Sequence, residues 1–486
     1  MHRILPEIDV LLTYPSDPVR LFDSLVPLGI ASIAAVLEAH DYSVKVLDFN
    51  HYHGDFRRDI KRWNPKIVGI GGTTATRRGS FLIARLAKES LLSVPVVFGG
   101  PHASFTAADT FSHVPEIDFV IKGEGEYPFL DLCNHFIREM DIDVTALPGL
   151  CRRSNGGCIE NAPRRIENLD DLPLPARHLF SDKYSLTLDF FNLSAEFIMT
   201  SRGCPACCTF CSASRMFPGG VRYRSMEHIK RELDEILREK HVPALKLFDS
   251  TFTSSPKHVA TFCDLIRPYG ISWECEVRAD TVDHSMLQRM KQAGCVYINV
   301  GLETSNQRLL ARTGKNISTE QVEACLAWCR EIDIKTKLFI IFGHPGQTFG
   351  ECKADISYLK EHKRMIDFFA TTVGMRVYPG TVVEASLKKA NLIPGDFSWA
   401  RYKAPLKNWL LFEPGDVLIL DQPGLNFFQL LAVILLLAKQ GTLTSGAYIF
   451  KMLALNARVY GERLFISIIH LRHKVTRLII HSRNKQ

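Results

Sequence analysis

The stretch SRGCPACCTFCSAS, residues 201–214, places four cysteines within eight positions. Cys204, Cys208 and Cys211 form a C-x3-C-x2-C pattern, and Cys207 is an additional thiol between them. A structural zinc normally needs four Cys or His ligands, usually as two separated pairs, and no second pair follows at a suitable distance. Three thiolates leave one corner of an iron–sulfur cube open to a substrate, so the spacing favours a catalytic cluster. Zinc, plain packing, and ligation through Cys207 in place of Cys208 remain alternatives.

Downstream of this loop, residues 193–400 alternate apolar strands with amphipathic helices. Helices are predicted at 225–241 and 284–294. The strands are predicted at 197–203, 244–251, 271–280, 296–304, 336–346 and 368–380. About six strand–helix repeats predict a full or partial (β/α) barrel of the TIM type, in which functional residues lie at the carboxyl ends of the strands.

Upstream, the first 150 residues also alternate strands and helices. The predicted strands are 8–15, 43–49, 66–72, 94–100 and 118–123, with helices at 29–40 and 79–91. Their nearly continuous apolar character predicts a parallel, doubly wound, Rossmann-like sheet, which binds ligands at the carboxyl edge. That edge carries three turns: Thr73 and Thr74; Gly99, Gly100 and His102; and Gly123, Glu124 and Gly125. Any one turn is explained by tight chain reversal, but three together favour a large, flat ligand.

The remaining segments complete the predicted organisation: a proline-broken linker over 151–192 and a mostly helical extension over 401–486. The apolar run 430–438 is too short to span a membrane and predicts a buried helix. The basic tail 463–486 is expected to dock on the barrel or to contact a membrane surface.

The first residues show no secretion signal, and thirteen cysteines are then expected as reduced thiols or metal ligands in a cytoplasmic protein. A net charge of +7 gives no indication of nucleic-acid binding.

The loop CPACCTFC, with Phe210 before its last cysteine, resembles the signature of radical SAM enzymes. Further segments resemble that family in order and approximate spacing: 248–255, 275–280, 300–310, 342–348 and 377–381. Upstream, VVFGGPHAS and VIKGEGE resemble the cobalamin-binding domain fused to one large subgroup of the family. The resemblance covers about residues 8–385 and implies an N-terminal cobalamin-binding domain.

This resemblance implies a 4Fe-4S cluster on Cys204, Cys208 and Cys211, with S-adenosylmethionine (SAM) on the open iron. One-electron reduction by a donor such as flavodoxin or ferredoxin would then release a 5′-deoxyadenosyl radical. The residues implied in SAM binding are Phe210, Arg278, Glu303, Gly343 and Gly346, and those implied in cobalamin binding are the turn residues of the N-terminal sheet. Arg278 and Glu303 have a plain alternative, an ion pair at the barrel mouth.

The expected reaction is methylation of an unactivated carbon of a small molecule or lipid. A cyclase or rearrangement enzyme of the porphyrin cyclase type is the first alternative. The others are a non-catalytic corrinoid or iron–sulfur sensor, and an N-terminal domain that has lost cobalamin. Some corrinoid methyltransferases supply a cobalt-ligating histidine from the loop after the first strand. In this chain the loop after the first predicted strand contains no histidine. His51 and His53 follow the second strand and are expected to be solvated loop residues.

Overall fold

The structure is a computed structural model that describes residues 7–16, 26–154, 157–180, 184, 186–188, 193–240, 242–405, 408, 411 and 416–440. Two seven-stranded sheets dominate this part of the chain.

The first sheet, sheet A, has the strand order β2-β1-β3-β4-β5-β6-β7. Its strands are β1 (Val10–Tyr14), β2 (Val44–Asp48), β3 (Ile67–Gly71), β4 (Val96–Gly99), β5 (Phe119–Ile121), β6 (Leu150–Ser154) and β7 (Gly157–Glu160). Its helices are α1 (Leu28–Glu38), α2 (Phe56–Trp63), α3 (Arg77–Ser90), α4 (Ala103–His113) and α5 (Glu126–Arg138). Strands β1 to β5 are parallel, which confirms the predicted doubly wound sheet, whereas the antiparallel hairpin β6–β7 is not predicted from the sequence.

Sheet A is buried on both faces because its strands lack the polar alternation of a half-exposed sheet. All five residues of β3 are buried. Leu12 and Ile67 belong to the core on one face, and Leu11 and Val68 belong to the core on the other. The strand order reverses between β1 and β3, which creates the crevice where such sheets bind ligands.

The second sheet, sheet B, has the strand order β16-β15-β14-β13-β12-β9-β8. Its strands are β8 (Leu186–Leu188), β9 (Leu193–Ile198), β12 (Ala244–Leu247), β13 (Ser272–Val277), β14 (Cys295–Glu303), β15 (Lys335–Phe342) and β16 (Phe368–Val373). All neighbours pair in parallel except β8, which is antiparallel to β9. The sheet curls without closing, so the partial form of the predicted barrel is the one observed.

Helices of the barrel region alternate with these strands, as the sequence predicts. They are α6 (Ala213–Met216), α7 (Met226–Lys240), α8 (Pro256–Ile266), α9 (His284–Gln292), α10 (Gln307–Arg312), α11 (Thr319–Glu331), α12 (Phe349–Glu361) and α13 (Val382–Lys389). Two short antiparallel pairs join β10 (Ser201–Arg202) to β11 (Arg222–Tyr223) and β17 (Arg376–Val377) to β18 (Leu418–Ile419).

The predicted apolar helix near the C-terminus is α14 (Phe427–Gln440), and its buried face contains Leu430, Val433, Ile434 and Leu437. It packs on α12 and β16. Among the described residues, no helix is both long enough and apolar enough to cross a membrane. The basic tail 463–486 lies outside the described residues.

Residues after the barrel return to sheet A. Arg77, at the start of α3, is fully buried and donates hydrogen bonds to the carbonyls of Trp399 at 2.8 Å, Tyr402 at 2.7 Å and Asp416 at 2.5 Å. Charged donors on backbone carbonyls hold this segment firmly in place. The domain boundaries at 150, 192 and 400 stay predictions, although sheet A itself extends to Glu160.

Candidate functional site

The cysteine loop follows β10 at the open end of the partial barrel. Gly203, which opens the loop, has φ +106°, and a Cβ there would lie 2.6 Å from the Gly220 carbonyl oxygen. Thr209 fixes the middle of the loop, because its N–H donates to the Thr313 carbonyl at 2.7 Å and its carbonyl accepts from the Val383 N–H at 3.0 Å. The loop is therefore held between α10 and α13 by its own backbone.

Three thiols of the loop each have a polar neighbour at their sulfur. Cys204 Sγ lies 3.5 Å from Thr251 Oγ1, Arg278 Nη1 lies 4.0 Å from Cys208 Sγ, and the Ala213 N–H donates to Cys211 Sγ at 3.5 Å. Hydrogen bonds to sulfur are a normal feature of iron–sulfur ligands. The exposed Cys207 thiol makes no such contact within the described part of the chain. The surroundings of the sulfur atoms therefore distinguish Cys204, Cys208 and Cys211 from Cys207.

The spacing of the thiols fits a cluster better than a single ion. Sulfurs that share one zinc at tetrahedral angles lie about 3.8 Å apart. Searched over the described residues, ligand atoms of three residues within 4.8 Å of one another occur at Cys151, Cys158 and Glu160, and not in the cysteine loop. Cluster thiolates bind separate irons and are more widely spaced. Burial raises the pKa of the Cys208 thiol, although Lys315 and Arg278 oppose that effect.

Arg278 and Glu303 lie at the ends of neighbouring strands, beside the cysteine loop. Glu303 ends β14 with φ +75°, at a register shift in the β14–β15 pairing. Lys315 Nζ contacts Glu303 Oε1 at 2.5 Å, and Arg278 pairs with Asp280 at 2.8 Å. Arg278 also donates to the Lys315 carbonyl at 2.5 Å. Arg278 and Glu303 therefore each form an ion pair at the barrel mouth, but with other partners and not with each other.

The glycine turn after β15 lies beside Glu303. Gly343 has φ +98°, and a Cβ there would lie 2.9 Å from the Met375 backbone nitrogen. Gly346 has φ +75°. The Gln347 side chain accepts hydrogen bonds from the Gly343 N–H at 2.6 Å and the His344 N–H at 3.1 Å. The Gln347 side chain therefore fixes the shape of the turn, and the role of Gly343 and Gly346 toward SAM stays a prediction.

Asp355 on α12, which the sequence reasoning missed, joins this turn to the end of β14. It is fully buried and accepts from Thr304 Oγ1 at 3.0 Å, the Ser305 N–H at 2.7 Å and Gln347 Nε2 at 2.9 Å. A sequence signal exists, because Asp355 shares the apolar stripe of its helix with Cys352 and Leu359. A carboxylate on such a stripe predicts a buried polar contact.

Phe210, the aromatic residue before Cys211, is partly buried. It packs against a small apolar cluster that includes Met375, Val377 and Trp399. This contact connects the cysteine loop to the segment that returns to sheet A. Its role toward SAM stays a prediction.

A cavity of about 570 Å³ lies between the carboxyl edge of sheet A and the barrel. Six of the predicted turn residues line it: Thr73, Gly99, Gly100, Gly123, Glu124 and Gly125. A Cβ on Gly99 would meet no atom within 4 Å, whereas a Cβ on Gly100, with φ +98°, would lie 2.7 Å from the Gly72 carbonyl. The glycines keep this wall flat, which fits a large planar ligand such as a corrin.

Thr74 and His102, also predicted to bind the cofactor, are buried behind this wall. His102 Nδ1 lies 3.2 Å from Thr74 Oγ1, and its ring lies near those of Phe98 and Trp399. Burial lowers the pKa of His102 to about 3, so the ring is neutral. His51 and His53 follow β2 and do not line the cavity. His51 packs against Tyr184, while His53 is exposed.

Buried ion pairs join the cavity wall to the cysteine loop. Glu124 pairs with Arg202 and Arg222, each at 2.7 Å, and Arg202 also pairs with Glu126 at 2.7 Å. Burial acts to raise the pKa of Glu126, but Arg202 outweighs it and the pKa lies below its usual value. Arg202 precedes the cysteine loop by one residue, so these contacts fix the distance between the two halves of the site. Sequence reasoning did not identify Arg202.

Comparison with known proteins agrees with this geometry. Residues 198–359 match the radical SAM superfamily, and residues 21–133 match the B12-binding domain family. The chain is 32% identical over 384 residues to an uncharacterized methyltransferase of Pyrococcus horikoshii, covering 77% of this chain and 81% of that protein. It is 29% identical over 332 residues to hopanoid C-3 methylase of Methylococcus capsulatus, covering 66% of this chain and 62% of that protein.

The fold is also similar to a solved structure. The radical SAM methyltransferase TsrM from Kitasatospora setae, with cobalamin and a 4Fe-4S cluster bound, aligns with a TM-score of 0.66 at 19% identity. The alignment covers 80% of this chain and 76% of that chain. At this identity the likeness concerns the arrangement of the two sheets.

Proposed function

This chain belongs to the cobalamin-dependent radical SAM methyltransferase family, and from that premise we propose that it methylates an unactivated carbon of a small molecule or a lipid. Its cofactors are a 4Fe-4S cluster, SAM and cobalamin. The observation that carries the proposal is the pair of buried contacts from Arg202 to Glu124 and Glu126, because they join the wall of the cavity at sheet A to the start of the cysteine loop.

When bound, the cluster and one SAM would supply the 5′-deoxyadenosyl radical that removes hydrogen from the substrate, and cobalamin would supply a methyl group that it takes from a second SAM. The protein contributes orientation and exclusion of water. Cys204, Cys208 and Cys211 hold the cluster, and Cys207 does not. Arg278, held by Asp280 and the Lys315 carbonyl, keeps its positive charge beside Cys208 Sγ.

The chain's other residues at the barrel mouth position SAM. Glu303, fixed by Lys315, lies at the end of β14, where its carboxylate would bind the ribose hydroxyls of SAM. Gly343 and Gly346 allow the adenosyl group to approach the backbone closely, because neither carries a side chain in the turn. Asp355 positions both segments without touching the reacting atoms.

Two partners follow from this chemistry. SAM cleavage consumes one electron, so the protein needs a donor such as flavodoxin or ferredoxin. The relative hopanoid C-3 methylase is named for a class of lipids, which supports a lipid substrate. The apolar helix α14 and the basic segment that follows it in the sequence support a second proposal, peripheral membrane contact. A flotation assay with anionic vesicles tests this contact. Unchanged flotation after removal of residues 460–486 would remove the membrane from the proposal.

The test of the reaction uses anaerobically reconstituted full-length protein with cobalamin, a chemical reductant and SAM labelled with deuterium in its methyl group. The protein is incubated with a metabolite and lipid extract. We expect 5′-deoxyadenosine together with a product in which one labelled methyl group replaces a hydrogen atom of the substrate. A matched Cys208→Ala protein controls for cluster-independent products.

The mass of the product separates the candidate reactions. Formation of 5′-deoxyadenosine with a product of unchanged mass, or lighter by two hydrogens, would replace methylation by rearrangement or ring closure. Absence of 5′-deoxyadenosine from protein with a full complement of iron would instead support a non-catalytic sensor.

A further inference from the structure

One layer of side chains crosses the concave face of sheet B below its mouth. Glu276 on β13 pairs in register with Asn299 on β14, and Asn299 pairs with Lys337 on β15. Parallel partners in register point to the same face of a sheet. The residues adjacent to them in sequence point to the opposite face and belong to the core: Cys275, Val277, Ile298, Val300 and Leu338. Glu276, Asn299 and Lys337 therefore face the lumen of the partial barrel.

Part of this lumen is open to solvent. Along β15 every second residue is partly exposed, beginning with Lys335, and every intervening residue is buried. A closed barrel fills its interior with layers of interlocking side chains, and its inward residues are buried. The exposed inward positions of β15 show that the concave face of sheet B is accessible, although it lies within the fold.

Two neighbouring acceptors in this layer receive no hydrogen bond from the described residues. Glu276 receives no hydrogen bond or ion pair from any residue in the described ranges, and the carboxylate beside it on the same strand, Glu274, is already paired with Lys246 at 2.7 Å. Asn299 is 2% exposed, and its Oδ1 has no partner among the described residues. Burial raises the pKa of Glu276 to about 7. Glu276 is half-buried, whereas Asn299 Oδ1 is a buried acceptor without a partner, which is unfavourable and rarely kept in folded proteins without a use.

The position of these groups relates them to the reaction. Arg278, two residues beyond Glu276 on β13, contacts Cys208 Sγ at 4.0 Å. Glu276 therefore lies about 7 Å from Arg278 along the chain, at roughly 3.3 Å per residue, and one residue before the end of β13. Phe248 directly follows β12, in which Lys246 pairs with Glu274, so it continues at the level of Glu276. Phe248 also lines the cavity beside sheet A, with its ring 5.3 Å from that of Phe197.

We propose that Glu276 and Asn299 form a substrate subsite that accepts hydrogen bonds from a hydroxyl or protonated amine, while the apolar part of the same molecule lies against Phe248. The subsite rests on the proposed function only in that its ligand is the molecule to be methylated. It assigns an amphipathic substrate, with a hydrogen-bond donor at the end that enters the barrel and an apolar body that reaches the cavity.

The test measures binding without turnover. Full-length protein reconstituted with its cluster, cobalamin and SAM, but without reductant, is titrated in ligand-observed NMR with n-hexylammonium, 1-hexanol, hexyl methyl ether and hexanoate. We expect the ammonium or the alcohol to bind about tenfold more tightly than the ether and hexanoate, as is typical of a site built around unpaired acceptors. Glu276→Gln should remove the preference for ammonium over hexanoate. Glu361→Gln, on the exposed surface of α12, is the matched control and should bind all four probes as the unsubstituted protein does.

A second variant separates binding from folding. Asn299→Leu removes the unpartnered buried amide, so the thermal unfolding temperature should stay the same or rise. Binding of the alcohol and the ammonium should nevertheless weaken about tenfold. A purely structural Asn299 would lower the unfolding temperature on substitution, and that result would overturn the proposal. Equal binding of all four probes to the unsubstituted protein would overturn it too. Because no turnover is involved, failure of the methylation assay leaves this test unaffected.

Discussion

Lys315 Nζ lies 2.5 Å from Glu303 Oε1, in an ion pair whose two side chains are 8% and 9% exposed. Glu303 is also the residue of β14 with positive φ, at +75°. The ion pair thus fixes a carboxylate whose backbone already departs from strand geometry, and it does so beside the cysteine loop. Residues in unfavourable backbone conformations persist where their surroundings hold them in place.

We expect Lys315→Met to lower the free energy of unfolding by about 3 kcal/mol, because it leaves Glu303 charged and buried without a partner. The double variant Lys315→Met, Glu303→Gln should recover part of that loss, since the buried charge is gone. Anaerobic denaturant unfolding of the two single variants and the double variant measures the coupling. Additive effects would show that the two side chains do not stabilise each other.

We expect alanine at Cys204, Cys208 or Cys211 to abolish cluster binding, and alanine at Cys207 to preserve it. The first three sulfurs each have a polar neighbour, and the Cys207 thiol is exposed without one in the described chain. Iron and sulfide are counted on anaerobically reconstituted proteins. Cys207 is the control within the same loop, and loss of iron from Cys207→Ala would reassign the ligands.

We expect Gly99→Ala to weaken cobalamin binding by about tenfold without loss of stability. A Cβ at Gly99 meets no protein atom within 4 Å, but Gly99 lines the cavity, so the added methyl group occupies ligand space. Gly395→Ala, where a Cβ also meets nothing within 4 Å and which lies outside the cavity, is the matched control. Absorbance titration with cobalamin measures the effect. Unchanged affinity in Gly99→Ala would place the corrin away from this edge.

We expect Asp355→Asn to weaken SAM binding by about tenfold and to lower stability by about 2 kcal/mol. Asp355 accepts hydrogen bonds from Thr304, Ser305 and Gln347, and an amide nitrogen in its place would face donors. Asp264→Asn, at an exposed surface ion pair, serves as the control. Isothermal titration with SAM gives the affinity. Lower stability with unchanged SAM affinity would mean that Asp355 supports the fold but does not position the SAM-binding turns.

We expect stability to fall as pH rises from about 4.5 toward about 7 through Glu276, whose pKa is raised from 4.5 to about 7. Burial is the main cause; Glu274 adds to it, while Lys246, Lys337 and Lys315 oppose it. Because the folded state holds this proton more tightly than the unfolded state, the contribution is present below the unfolded pKa and lost above the folded one.

Relative to Glu276→Gln, the unsubstituted protein should lose about 1–2 kcal/mol across this window, less than the full shift implies because the carboxylate still contacts water. Denaturant unfolding at both ends of the window measures it. Parallel pH profiles for the two proteins would contradict the assignment.

The sequence alone determined the two sheets and predicted three cysteines as the cluster ligands. Both follow from local information: strand and helix patterns have their own periods, and the cysteine spacing is a property of one loop. The strands β1 to β5 were accordingly predicted within about two residues at each end. In sheet B the strand predicted at 368–380 runs past Val373, where β16 ends, and the one predicted at 197–203 overlaps only the last two residues of β9. The hairpin β6–β7 was not predicted, and the sequence left open whether the barrel is full or partial, because both depend on pairing between distant segments.

Only the tertiary structure decided which side chains meet. The contact between Arg202 and Glu124 joins positions 78 residues apart in sequence, and the pair of Glu276 with Asn299 depends on strand register. It also placed His102, predicted from its turn to face a ligand, behind the cavity wall, because the Trp399 segment returns to cover it. Sequence spacing specifies chemistry within a loop. Burial and partners are properties of the assembled chain.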